Sequence, residues 1–158
     1  MSAIAIAVAM NHLRADDDAQ DMVQIYLDAA EHAASQFMNR LVFPDQAALT
    51  DAQDDAVFAL AAARTARVAA LAAADALEDC GERAVQVELI EATFAEAAGK
   101  CAMAIRGIVL NPSITAACLL KLGHLYEHHE DVVLSQAPMA MPMGSQHLLQ
   151  PFRIGLGV

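Results

Sequence analysis

The stretch Asn111-Pro-Ser-Ile-Thr-Ala-Ala-Cys-Leu-Leu-Lys-Leu-Gly-His-Leu-Tyr-Glu-His-His-Glu-Asp131 carries the strongest helix signal in the chain. Asn111 is a typical N-cap residue, and Pro112 suits the first helical position because its missing N–H would be unpaired there in any case. At 100° per residue, one sector of this helix is apolar and contains Ile114, Cys118, Leu119, Leu122, Leu125 and Tyr126. The stretch therefore predicts a helix that buries one side.

The composition favours an all-α protein. A chain of 158 residues is long enough to bury a core as one domain. Hydrophobic residues make up 57% of it, much of this share is alanine, and aromatic residues are only 4%. Because alanine is the best helix former and buries little area, these numbers predict a bundle of closely packed helices.

Charge and cysteine content exclude several classes of function. The formal net charge is −11, so the chain lacks the basic surface that grips nucleic acid phosphates, and we expect no tight DNA binding. Cys80, Cys101 and Cys118 are odd in number and lack CxxC spacing, which favours free thiols in a reducing cytoplasm. No run of 18 residues is apolar and free of charge, so we expect no membrane-spanning segment.

Periodicity divides the chain into a helical core, an alanine-rich hairpin and a tail. Core helices are predicted at about 4–14, at about 18–41, where Val23, Tyr26, Ala30, Ala33, Phe37 and Leu41 share the inner face, and again from Asn111. A short helix at about 145–150 ends at Pro151. The domain boundaries predicted in this way are 4–43 and 109–153 for the core, 45–108 for the hairpin and 152–158 for the tail.

Residues 45–108 contain 22 alanines among 64 residues and predict an αα-hairpin inserted between core helices. Its first helix is expected from Thr50 or Asp51 to about Asp79, with Gly81 as the terminator, and its second from about Glu82 to Val109. The alternation in 85–90 also fits a strand, but the helical composition that follows favours helix.

Several residues are candidates for contacts with partners. In the first hairpin helix Val57, Leu60, Val68 and Leu71 align, yet Arg64 and Asp75 lie in the same stripe, so we expect a neighbouring subunit to cover these two charges. The methionines around Pro138 and Pro142 form an adaptable apolar loop that suits either a lid on the core or a partner. The tail offers alternating apolar side chains to a partner. The resulting candidates are Arg64, Asp75, Met139, Met141, Phe152, Arg153, Ile154 and Leu156.

His124 and His128 are four residues apart on one helix and could hold zinc or copper. There is no HExxH arrangement and no third ligand at a fixed spacing, so a His-rich metal-binding bundle is the alternative rather than the leading hypothesis. The sequence contains no phosphate-binding glycine motif and no nucleophile motif. We therefore expect neither enzymatic activity nor a cofactor.

Four motifs in order give the chain a family resemblance. They are Ala9-Met-Asn-His-Leu-Arg-Ala-Asp-Asp-Asp18; Tyr26-Leu-Asp-Ala-Ala30 through Phe37-Met-Asn-Arg40; Ala116-Ala-Cys-Leu-Leu-Lys-Leu-Gly-His-Leu-Tyr-Glu-His-His-Glu-Asp-Val132; and Pro142-Met-Gly-Ser-Gln-His-Leu-Leu-Gln-Pro-Phe-Arg153. Together they resemble the head–tail connector (head-completion or adaptor) proteins of tailed bacteriophages. The resemblance covers about 5–43 and 108–158 and leaves out the alanine-rich hairpin.

The resemblance implies a structural virion protein, made in the bacterial host cytoplasm, that assembles as a ring beneath the portal. Such rings are commonly twelve-fold, extend the DNA channel and provide the platform for the tail. The implied partners are other copies of the chain, the portal protein and a tail-completion protein, while DNA passes through the lumen without specific binding. The end of the chain would lie toward the portal.

Overall fold

The computed structural model describes residues 2–127 and 143–155, and these residues are almost entirely helical. Two-residue strands, β1 (Val42–Phe43) and β2 (Ile108–Val109), and short 3₁₀ turns at Asp17–Ala19 and Gln150–Phe152 complete the regular structure. The described part of the chain has six α-helices: α1 (Ile6–Leu13), α2 (Gln20–Met38), α3 (Gln46–Asp75), α4 (Cys80–Ile105), α5 (Pro112–Glu127) and α6 (Met143–Leu149). The predicted all-α fold is confirmed.

The chain separates into two compact units. The core unit comprises Met1–Gln46 and Ile108–Val158, and the hairpin unit comprises Ala47–Gly107. The core unit contains α1, α2, α5 and α6, with α2 packed along α5 and α5 packed against α6. Its largest fully buried side chains are Val23, Leu27, Met38, Ile114, Cys118 and Leu122.

The start of helix α5 is determined by its first residues, Asn111 and Pro112. The Asn111 side-chain Oδ1 accepts a hydrogen bond from the Ile114 N–H at 3.0 Å, and Pro112 is the first helical residue. This cap satisfies one of the N–H groups that a helix start leaves without an intrahelical partner. The predicted start of the helix is confirmed, and Ile114, Cys118 and Leu122 are buried as expected.

The buried face of α2 differs from the predicted one. The deepest stripe is Val23, Leu27, Ala30, Ala34 and Met38, whereas Tyr26 and Phe37 are only partly buried. Ser35, which is not part of the predicted inner face, is also buried. Because α2 packs against α1 as well as α5 and α6, its buried sector is wider than a single stripe and is centred about one residue further along.

The two strands join the chain where it leaves and re-enters the core unit. They pair in parallel, Val42 opposite Ile108 and Phe43 opposite Val109. The Ile108 N–H donates to the Leu41 carbonyl at 2.9 Å, and the Leu110 N–H donates to the Phe43 carbonyl at 2.8 Å. Periodicity did not predict these strands, because two residues are too few to show a pattern.

Replacing residues 47–107 by about 12 Gly and Ser residues should leave a folded core, because the core cluster lies wholly in the core unit. A linker of roughly this length is needed since parallel strands require a crossover connection of about a dozen residues. Circular dichroism and a cooperative thermal transition would check this. A three-residue linker is the control and should lower the transition temperature. A chain that is unfolded with the long linker would contradict the division.

The boundaries within the hairpin unit correct two predictions. Helix α3 begins at Gln46 rather than at Thr50 or Asp51. Gly81 does not end the first helix; it lies in the first turn of α4, and the connection is formed by residues 76–79. Asp79 explains the difference, since its Oδ1 accepts the Glu82 N–H at 2.7 Å and starts α4 earlier than expected.

Candidate assembly surfaces

The hairpin unit exposes an unusual amount of apolar side chain. The buried residues of its two helices are limited to Leu49, Ala56, Ala74 and Cys101. By contrast, Phe58 is 75% exposed, and Val57, Val68, Val85 and Leu89 are between 57% and 66% exposed. A pair of helices that buries so few apolar side chains and exposes so many is typical of a surface that binds a protein or a membrane.

One ion pair fixes the two hairpin helices against each other. Arg67 on α3 donates from Nη2 to Glu91 Oε1 at 2.6 Å and from Nε to Oε2 at 2.9 Å, and its guanidinium lies 5.1 Å from the centre of the Phe94 ring. The hydrogen bonds from Arg67 lower the pKa of the Glu91 carboxyl. At the base of the hairpin, Gln53 Nε2 donates to the Ile105 carbonyl at 2.8 Å.

An apolar groove runs beside this ion pair. It encloses about 290 Å³ and is lined chiefly by alanines of α3 and by Leu89, Ile90, Thr93 and Phe94 of α4. Because alanine side chains are small, they leave space between the two helices, and this space is open on one side of the hairpin.

Arg64 and Asp75 lie on exposed positions of α3 within their own unit. Val57 and Val68 of the same stripe are exposed, while Leu60 and Leu71 are partly buried. Residues 2–127 and 143–155 thus leave uncovered the charges that we expect a neighbouring subunit to cover. That coverage stays a prediction.

By length and composition alone, α3 is the one helix in the described residues that could cross a membrane, and 6% of its most apolar window is buried. Arg64 and Arg67 both lie in this apolar part, and α4 beside it carries Glu88, Glu91 and Glu96. The expectation of no membrane partner stays a prediction. What the helix shows directly is an apolar surface that its own unit does not cover.

The beginning of the tail is held by the core unit. Phe152 packs partly buried against the core cluster, and the Arg153 guanidinium lies 5.1 Å from the centre of the Phe37 ring. The Ile154 N–H donates to the Met38 carbonyl at 3.0 Å, and Gly155 has φ +71°, where glycine is favoured. The tail, predicted to offer its apolar side chains to a partner, thus contacts its own core unit as far as Gly155, and its contact with a partner stays a prediction. Leu156 lies outside the described residues.

Ending the chain after Pro151 should lower the free energy of unfolding by about 2 kcal/mol, because it removes the packing of Phe152 and the bond from Ile154 to Met38. Ending it after Gly155 keeps both interactions and should leave stability unchanged. Urea unfolding of the two truncated chains measures the difference. Equal stability of the two would show that residues 152–155 do not hold the core.

The beginning of the chain is tied to α2 through one carboxylate. Glu31 Oε1 accepts from the Ser2 hydroxyl at 2.6 Å and from the Ile4 N–H at 2.8 Å, and Oε2 accepts from the Ala3 N–H at 2.9 Å. Ile4 is buried in the core cluster. Glu31 is not among the residues of the predicted inner face of α2, and no local sequence signal predicts these contacts across 27 to 29 positions.

Among the described residues, the structure adds no metal-ligand candidates to the pair His124 and His128. His124 lies near the end of α5, and His128 lies outside the described residues, as do Met139 and Met141. Within residues 2–127 and 143–155, no group of three or more histidine, cysteine or acidic side chains is arranged to hold a metal ion. His124 makes an interaction within the chain. This arrangement does not add to the case for a metal-binding bundle.

The three cysteines differ in exposure. Cys80 is exposed, whereas Cys101 and Cys118 are buried. Burial, and secondarily the charge of Glu31, raise the pKa of the Cys118 thiol to about 12. At pH 8 only about one Cys118 in 10⁴ would be the reactive thiolate.

We expect one fast-reacting thiol per chain with a disulfide reagent and three after denaturation. Cys80→Ser should abolish the fast phase; two fast thiols in the unsubstituted chain would contradict this.

No protein-family model, curated protein or solved structure matches the chain. The features that bear on function are therefore the exposed faces of the hairpin, the contacts that hold residues 2–4 and 152–154 to the core unit, and the four sequence motifs.

Proposed function

We propose that this protein is a structural subunit of a phage head–tail connector. Copies of the chain form a ring beneath the portal protein, extend the DNA channel and present a platform to a tail-completion protein. The ring belongs to the virion and has no catalytic role. The four motifs in 9–153 favour this function over other helical assemblies.

The main support for the proposal is the exposed apolar surface of the hairpin unit. Two helices of 30 and 26 residues expose Phe58, Val68, Val85 and Leu89 and bury only four side chains of their own. Such helices become stable and soluble when a protein covers them. A ring meets this requirement because each copy supplies two unlike patches that repeat until the ring closes.

The charge of the chain agrees with a channel for DNA. Twenty acidic residues against nine basic ones give a net charge of −11. Packaged DNA has to slide through a connector, and a surface that neutralised several phosphates would retain it. An acidic lumen repels the phosphates and leaves the DNA free to move.

The proposal is tested with DNA-filled heads from a phage in which the gene for this chain is deleted. Purified protein should sediment with these heads, and it should not sediment with heads that lack the portal. Bound protein should reach one fixed ratio to the portal subunits.

Attachment that saturates in this way, followed by recovery of infectious particles when tails are added, is the expected result. Equal sedimentation with and without the portal would overturn the proposal, as would deletion heads that join tails normally without the protein.

A further inference from the structure

The two outer edges of the hairpin differ in a regular way. The edge of α3 that faces away from α4 has one large side chain, Phe58, followed by small exposed ones: Ala61, Ala62, Thr65, Ala69 and Ala72. The corresponding edge of α4 has large apolar side chains near the tip, Val85 and Leu89, of which Leu89 also borders the groove, then Ala92, the charged Glu96 and Gly99. The bulky apolar positions and the small positions thus run in opposite order on the two edges.

Two hydrogen bonds between α3 and α4 show which residues of the two helices lie at the same height, meaning the same position along the long axis of the hairpin. Arg67 bonds to Glu91 and Gln53 bonds to Ile105, and both pairs of numbers add to 158. Residues whose numbers add to about 158 therefore lie at the same height along the hairpin. By this register Phe58 is level with Gly99, Ala69 with Leu89, and Ala72 with Val85.

We infer that the α3 edge of one copy packs against the α4 edge of the next copy, so that hairpins stand side by side around a ring. Rotation about an axis along the hairpin involves no shift along it, so neighbouring copies keep the same heights. Each large side chain on one edge then meets a small one on the other. The inference rests on the proposed function for its ring symmetry.

Gly99 is a second observation in favour of this contact. It lies inside α4, where glycine lowers helix stability relative to alanine. A Cβ added at Gly99 would meet nothing within 4 Å in the described chain. Packing among the described residues therefore does not explain the glycine, whereas close approach of Phe58 from a neighbouring copy does.

One pair of opposite charges, Asp55 and Lys100, also lies near this contact. Asp55 lies within about 20° of Ala66 on the wheel of α3, and Lys100 lies within about 20° of Thr93 on α4. Since Ala66 and Thr93 both line the groove, the two charges are on the same side of the hairpin. They differ in height by about 4.5 Å, which a lysine side chain spans. Glu96, in the same outer edge as Gly99, is already paired with Lys100 at 2.6 Å.

Cysteine cross-linking of the full chain tests the contact. Thr65 and Ala92 are exposed, small and nearly level on opposite edges. In a Cys80→Ser background, Thr65→Cys combined with Ala92→Cys should form a ladder of disulfide-linked oligomers under mild oxidation. The two positions within one copy are separated by about two helix diameters, ~20 Å, so they cannot bond to each other. The matched control is Ala47→Cys with Ala92→Cys, about 28 Å out of register.

The expected yield of ladder is at least tenfold above that of the control and of either single substitution. Dimers from Thr65→Cys alone would overturn the inference in favour of a symmetric contact. Equal ladders in the test and control chains, or no ladder, would overturn it too. Flotation of the chain with neutral lipid vesicles, without a ladder, would assign the surface to a membrane.

Attachment to heads is measured separately. Attachment without a ladder rejects this contact alone, and a ladder without attachment rejects the proposed function alone.

Discussion

Leu122→Ala should lower the free energy of unfolding by about 2 to 5 kcal/mol. Leu122 is fully buried on the side of α5 that packs into the core cluster. Truncating such a side chain removes its transfer free energy and leaves a cavity that the surrounding helices fill only in part. Urea unfolding followed by circular dichroism measures the change.

Leu120→Ala is the matched control, two positions earlier on the same helix. Leu120 is 46% exposed, so its truncation should cost less than about 1 kcal/mol. Similar losses for Leu120 and Leu122 would mean that α5 presents a different face to the core.

Glu31→Ala should have the second largest effect, a loss of about 2 to 3 kcal/mol. The substitution removes the acceptor of three hydrogen bonds from Ser2, Ala3 and Ile4, and bonds to a charged group are stronger than neutral ones. Without them the first residues no longer hold Ile4 in the core cluster. Besides the lower stability, hydrogen exchange at the Ala3 and Ile4 amides should become fast.

Asp28→Ala provides the comparison, one turn earlier on α2. Asp28 accepts one bond, from Gln24 Nε2 on the exposed surface, so we expect a change within about 0.5 kcal/mol. If Glu31→Ala is equally mild and the amides of residues 3 and 4 stay protected, the carboxylate does not hold the beginning of the chain.

Features set by neighbours in sequence were predictable. The N-cap of α5 depends on Asn111 and Pro112 alone, and the structure has it where expected. The alanine-rich hairpin follows from helix propensity, and its two helices, α3 and α4, lie within the predicted range 45–108. These features need no knowledge of the rest of the fold.

Features set by distant residues were missed or misplaced. Ser35 and Glu31 read as solvent-facing on a helical wheel, but the adjacent α1 and the beginning of the chain cover part of that side of α2. The strands depend on pairing across 66 positions, from Val42 to Ile108. The anchoring of Ile154 depends on the end of α2. In each case tertiary packing decides what local periodicity cannot show.

We propose that copies of this chain form the ring between portal and tail. An electron-microscopy reconstruction of portal-bearing heads incubated with the purified protein tests this most directly. We expect a closed ring of helical subunits on the portal vertex, with the hairpins of 46–105 side by side. A portal vertex that gains no density, or protein bound elsewhere on the head, would contradict it.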